Sequence, residues 1–320
     1  MKPKKITRMM ILVSLGLALA LYPTTSVAKE KYEEKFEKTV PLAKDGKVFL
    51  GNVSGDIEVK TWKEEQVKID ALKIAEASTL SRAQEDSKKV TIEVNKEGNV
   101  LRIETKYPDH KGIWGHESLN VSVYYKIWIP DKADLEIKSV SGDVMAEGAG
   151  ALVGVNVVSG DVEVRGAGQG ADCNTVSGEL KLEDIAGDVD LKSVSGTITI
   201  NRVSGSVDAE TVSGDIEIRE ASDAKSLKLK TLSGDIIYQG KVNPNGRYNL
   251  KSHSGDIDII LPSDSAFEFE AETFSGDIKS DFELAVSGKI SPREVRGVVN
   301  KGGAFISVST FSGNIDLKKV

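Results

Sequence analysis

A single cysteine, three histidines, eight prolines and 6% aromatic residues put several kinds of protein out of reach of this 320-residue chain. With Cys173 alone, no internal disulfide can form, so stability must come from packing and backbone ladders. The few histidines leave little material for the common acid–base, nucleophilic or zinc constellations. No serine sits in a nucleophile-elbow pattern. Long apolar runs are scarce too. The first, Met9 to Leu21, is short for a membrane span, and no second run of that kind follows. It stands after Lys2, Lys4, Lys5 and Arg8 and before Pro23 and the small-residue site Ser26-Val27-Ala28, which reads as a signal peptide over residues 1–28. No cysteine at the cleavage site offers a lipid anchor. The expectation is an exported protein of the periplasm, cell surface or medium, with no transmembrane span in the mature chain. Removing the signal leaves 38 Lys plus Arg against 49 Asp plus Glu, a net charge of −11, on which nucleic acid is not an expected partner.

Glycine, by contrast, is abundant at 30 residues, and it is periodic. From Ser141 to Ala221 the chain divides without a gap into nine nonapeptides: SGDVMAEGA, GALVGVNVV, SGDVEVRGA, GQGADCNTV, SGELKLEDI, AGDVDLKSV, SGTITINRV, SGSVDAETV and SGDIEIREA. Their fourth and sixth positions are apolar or small, as in Val162 and Val164 or Ile216 and Ile218, an alternation that means a strand with one buried face. Odd and even copies differ, so the unit is an 18-residue coil of two strands and two corners. Gly at the second position supplies a turn with positive φ, and the Ser and Asp beside it are expected to bond local backbone groups. After Ser213 the SGD corner recurs at Ser233, Ser254, Ser275 and Ser312, which implies successive coils whose extra residues fall on the edge opposite the corner.

Before the repeat, Asn52 to Val59 is an early copy. Residues 67–74, 90–94, 100–105 and 119–129 read as strands, and Ser78 to Lys88 as one amphipathic helix capped by Ser78. A cap is physically required, because an open solenoid end exposes apolar side chains and unpaired strand edges. The predicted fold is all-β: a parallel β-solenoid (β-helix) of about 18–21 residues per coil over 136–320, preceded by an N-terminal β-rich capping module with one short helix over 29–135.

The repeated Asp, from Asp56 and Asp143 to Asp277, invites a calcium reading, but the turn is shorter than a calcium-binding roll uses, and Glu179, Thr197, Ser206 and Asn314 also fill the position. We read these residues as turn stabilisers and expect no metal, cofactor or catalytic set. A second column precedes the corner: Val140, Val158, Val176, Val194, Val212, Leu232, His253, Phe274 and Phe311. If alternation persisted, the neighbouring Ser and Thr would point inward and bond one another, leaving this column as an exposed ribbon. The preferred expectation is that the chain bends and tucks the column into the core, because a long exposed apolar row invites aggregation. The candidate ligand surface comprises Tyr107, His110, Trp114 and His116 in one loop, with His253, Phe274 and Phe311 of the corner column. Core packing accounts for Tyr124 and Trp128. Cys173 falls on an inward position and is expected to be an inert thiol.

With its GNVSGDIEVKTW segment and its SVSGDV, TVSGEL, TVSGDI and TFSGDI corners, the chain resembles the bacterial putative-adhesin family of unknown function over residues 45–320. The resemblance implies an exported interaction or scaffold role with a protein or glycan of the cell envelope as partner. Two alternatives stand beside this non-enzyme reading: a carbohydrate-binding module, which would lose saturable glycan binding on Trp114→Ala, and a polysaccharide-processing β-helix enzyme, which needs acidic and basic groups clustered on one face.

Overall fold

A computed structural model describes residues 29–108, 119–222, 224–286 and 291–320; the expected signal segment and the loop residues His110, Trp114 and His116 fall outside the described residues. Apart from the helix Leu80–Lys89, the regular elements described are strands, assembled into two long sheets of 13 and 14 strands. The protein is thus all-β with one short helix and solenoid-like. At each SGD corner the chain leaves one sheet and enters the other, as Val207–Ser213 passes into Ile216–Ala221. Such a strand pair is called a rung below and named by its corner serine.

Period-two burial builds the core. In Val207–Ser213, Val207, Ala209 and Thr211 are buried while Asp208, Glu210 and Val212 are not. Parallel pairing in an 18-residue register stacks Val153 on Ala171 and Ala171 on Val189, and on the other sheet Val162 on Leu180 and Leu180 on Ile198. Like residues therefore pile into columns, and the two inner faces close one continuous apolar core that also takes in Tyr238, Tyr248, Phe267 and Phe269. Cys173 is buried between Val155 and Leu191, and burial, then the Asp172 charge, pushes its thiol up to about 12, so it is inert at neutral pH.

Both ends depart from sequential stacking. The Ser312 rung, last in the chain, does not follow the Ser275 rung outward: Ala304–Ser312 lies between Arg247–Ser254 and Phe267–Ser275, and Ile315–Lys319 lies between Ile257–Leu261 and Ile278–Ser280. The expectation of successive coils is corrected here, and pairing explains why. The outer side of Phe267–Ser275 is already taken by the antiparallel strand Glu294–Val299, so the chain returns to fill the gap on the inner side. The amino-terminal end mirrors this. Lys47–Gly51 and Ile57–Trp62 lie between Val100–Lys106 and Val121–Pro130 on one side and Asp134–Ser141 and Val144–Glu147 on the other.

Beyond that rung the sheets finish in antiparallel strands, Gln66–Ala77 with Glu30–Pro41 on one and Thr91–Glu97 on the other. The outermost strand of the first sheet carries Glu30, Lys31, Glu33, Glu34, Lys35, Glu37 and Lys38, a charge density that discourages edge-to-edge pairing. The helix packs on these strands, and its cap is Thr79, whose Oγ1 accepts from the Arg82 N–H at 3.3 Å; the expected Ser78 stands one residue too early.

Buried Ser and Thr line the core just inside the SGD corner, and they divide into two groups. Toward the carboxy-terminal end their hydroxyls donate to the corner glycine carbonyl of a neighbouring rung, as from Thr231 to Gly214 at 3.1 Å and from Thr273 to Gly313 at 2.9 Å. Ser139, Thr175 and Ser193 bury hydroxyls with no hydrogen-bond partner among the described residues. An unpaired buried hydroxyl carries a desolvation cost and no return, so Thr175→Val should raise stability by about 1 kcal/mol. Thr273→Val, which strands a carbonyl, should lower it by about 1–2 kcal/mol. Urea melts of the two variants check the contrast; equal shifts of the same sign would contradict it.

Candidate interaction surface

The SGD corner is built by three side-by-side columns. The serines are in parallel register from Ser54 through Ser141, Ser159, Ser177, Ser195, Ser213, Ser233 and Ser254 to Ser312 and Ser275. The glycines follow. Gly178 has φ +145°, and a Cβ placed on it would lie 2.1 Å from the Gly160 carbonyl oxygen of the next rung. The rungs approach so closely that no side chain fits.

The aspartates come third, and their bonds run between rungs instead of staying local as expected from the turn. Asp143 Oδ1 accepts from the Asp161 N–H at 2.9 Å, Asp161 Oδ1 from Glu179 at 2.8 Å, and Asp235 Oδ1 from Asp256 at 2.8 Å. Asn314 does the same for Asp277 at 3.1 Å, which shows that an acceptor oxygen is what the position requires. Among the described residues no group of three or more His, Cys, Asp or Glu converges as a metal cage would.

The column before the corner is exposed, and the expectation that it tucks into the core is corrected. Val140, Val158, Val176, Val194, Val212, Leu232, Phe274 and Phe311 are 44–64% exposed, Val53 extends the row at 38%, and His253 is exposed too. Strand alternation persists to the corner, so the inward slot goes to Ser or Thr and the apolar residue turns out. The reason is the glycine carbonyl: it faces inward near the corner, and a hydroxyl satisfies it where a valine could not. From Thr211 onward the hydroxyls bond this backbone carbonyl, not one another as anticipated. At about 4.8 Å per rung, the ten positions form a ribbon roughly 43 Å long.

Its carboxy-terminal end is aromatic. His253 stacks on Phe311 with centroids 5.0 Å apart and planes at 14°, and Phe311 on Phe274 at 4.7 Å and 6°. Three residues singled out in the sequence thus meet as one ladder of rings, with Phe311 in the middle because its rung is the intercalated one. The fourth described candidate, Tyr107, is half-buried; its hydroxyl donates to the Val121 carbonyl at 2.8 Å, and desolvation pushes it up to about 12. The Tyr and Trp alternation is opposite to the one expected. Tyr125 is buried, its hydroxyl 2.7 Å from Thr105 Oγ1, whereas Tyr124 is exposed and Trp128 lies half-buried under Lys68, whose Nζ is 4.7 Å from the ring centroid.

Sequence reasoning missed one further concavity, a cleft of about 840 Å³ on the outer face of the first sheet, lined by Lys35, Glu58, Tyr124, Met145, Asp161 and Lys181 among others. Glu58 there is held below the usual carboxylate range by hydrogen bonds from Lys60 and Lys126, the opposite of what a general acid requires.

A model of the Toastrack DUF4097 family matches residues 46–243 and 241–318. Among curated proteins there is no significant match. The chain is similar to solved structures described as a putative lipid binding protein from Parabacteroides distasonis, at 16% identity and TM-score 0.42 over 90% of this chain and 96% of that one. It is also similar to a putative adhesin from Bacteroides fragilis, at 13% identity and TM-score 0.36 over 88% and 96%.

Proposed function

The chain belongs to the Toastrack DUF4097 family, and from that premise we propose that it is an exported, non-catalytic, adhesin-like interaction protein of the bacterial cell envelope. In this reading residues 1–28 direct export, 29–135 hold the capping strands, 136–320 form a rigid closed solenoid, and the ribbon along the SGD edge makes the contact. The observation that carries it is the ribbon itself. Ten rungs present an apolar or aromatic residue outward in register, on a chain whose other outward positions are largely charged or polar. A contiguous row of ten apolar or aromatic side chains is unlike the singly scattered apolar residues of an ordinary surface, and contiguous patches mark contact sites.

The stacked rings argue for a protein partner over a sugar. A carbohydrate platform offers a ring face to solvent. Here both faces of Phe311 are covered by His253 and Phe274.

The test is retention on envelope extracts by the protein and by a Val194→Lys, Val212→Lys double variant. Both substitutions fall on exposed positions, so the melting temperature should hold while retention falls at least tenfold. Equal retention by the two proteins overturns the reading, as does glycan depolymerisation abolished by a single Asp→Ala change.

A further inference from the structure

The charge on either side of the ribbon narrows the partner, on the premise that the ribbon is the contact surface. One flank is the corner column, where eight of ten rungs carry Asp or Glu, from Asp56 to Asp277. Their side-chain oxygens are recorded accepting backbone N–H groups, as at Asp161 and Asp235, and no ion pair to them is found among the described residues. The other flank is the outward residue two places before each ribbon position. There Lys138, Lys192, Lys230 and Lys251 outnumber Glu210 and Glu272. Glu210 is paired with Lys228 at 2.5 Å, Lys138 with Glu136 at 3.1 Å and Lys192 with Asp190 at 2.8 Å, while Lys230 and Lys251 make no ion pair among the described residues. The ribbon is thus an apolar strip with an acidic margin on one side and, at Lys230 and Lys251, a basic margin on the other.

Such a strip is complementary to itself in one orientation only. We propose that it binds a second copy of this chain, side by side and parallel, across a two-fold axis that runs along the stack of rungs. That axis exchanges left and right, so each copy's basic margin lies over the other's acidic margin: Lys230 meets the Asp235 rung and Lys251 the Asp256 rung. An axis across the stack sets acid on acid and base on base, which costs several kcal/mol in a close interface. Because the contact is isologous and closed, it ends at a dimer and consumes the apolar strip, which accounts for its persistence in an exported protein without open-ended aggregation. Each ribbon residue then faces its own counterpart.

Two measurements on the purified protein test this. Sedimentation at about 100 µM should show a dimer for the parent and a monomer for the Val194→Lys, Val212→Lys variant. Lys230→Glu with Lys251→Glu should weaken the dimer about tenfold, an effect that a purely apolar contact would not show. For orientation, Val158→Cys, Val194→Cys and Leu232→Cys are treated singly with a short homobifunctional maleimide; buried Cys173 stays silent. Parallel pairing predicts that all three variants link to themselves. Linking only near the centre of the ribbon means an antiparallel pair and overturns the orientation. A monomer at every concentration, with no self-linking, overturns self-pairing itself. Ribbon-dependent retention on envelope extracts would still stand in that case, so the two proposals fail separately.

Discussion

Gly178→Ala should lower stability by about 4 kcal/mol, a large share of the roughly 5–15 kcal/mol that holds a domain folded. Two costs combine. A φ of +145° is strained for any L side chain, and a Cβ would stand 2.1 Å from the Gly160 carbonyl oxygen, a backbone atom in the neighbouring rung that cannot swing aside. Backbone strain of this kind costs about 1–3 kcal/mol and overpacking about 1–3 kcal/mol more. Relief would require the two rungs to part, and with them the Gly160 N–H bond to the Ser177 carbonyl at 3.0 Å. Gly154→Ala is the matched control. It lies in a strand, its nearest atom to an added Cβ is the Leu135 carbonyl oxygen at 3.8 Å, and its backbone is not in the positive-φ region. That change should be neutral or stabilising by up to about 1 kcal/mol. Chemical denaturation of the pair measures the difference; equal effects would mean that the corner tolerates a side chain.

Stopping the chain after Gly303 should cost far more than losing a terminal repeat costs in a sequentially stacked protein, where the last repeat touches one neighbour. Here residues 304–320 are an interior rung, flanked on both sheets. Their loss removes the buried side chains of Ile306, Val308, Ile315 and Leu317, roughly 8 kcal/mol of apolar burial at about 2 kcal/mol each. It also unpairs the inner edge of Phe267–Ser275 and breaks the ring ladder at Phe311. The truncated chain should therefore lose protease resistance from about residue 262 onward while the rungs from Ser141 to Ser233 stay protected. Limited proteolysis read by mass spectrometry decides it. Fraying confined to the last few residues would contradict the intercalated order.

Most of the rung could be read in advance because it is local. Alternation within Val207–Ser213 fixes which side chains face in, and the 18-residue offset between like residues is the register itself. Neighbour order could not be read at the ends. Ser275 and Ser312 carry corner signals that differ only in Asp277 against Asn314, and only the outer partner of Phe267–Ser275 decides which comes next. The edge opposite the SGD corner hides a regular feature as well. Gly148, Gly166, Asp184, Arg202 and Glu220 recur every 18 residues with φ between +54° and +80°, but three of the five are not glycine, so the turn leaves no glycine signal there. Arg202 and Asp184 are tied to each other at 2.6 Å. At the candidate surface, the residues were visible and their direction was not. Aggregation risk argued for burying the column, and the glycine carbonyl that turns it outward is a backbone group with no sequence signature.

The account rests on that direction, and one strand measures it. Thr211 and Val212 are neighbours with opposite fates, one buried and one exposed. At submicromolar concentration, where any pairing between copies is dilute, Val212→Lys should change the unfolding free energy by less than about 0.5 kcal/mol, as exposed substitutions do. Thr211→Lys should cost at least about 4 kcal/mol, because it buries an unpaired charge beside the core. The reverse order, with Val212→Lys unfolding the protein and Thr211→Lys tolerated, would mean that the column packs inside and that the SGD edge carries no ribbon.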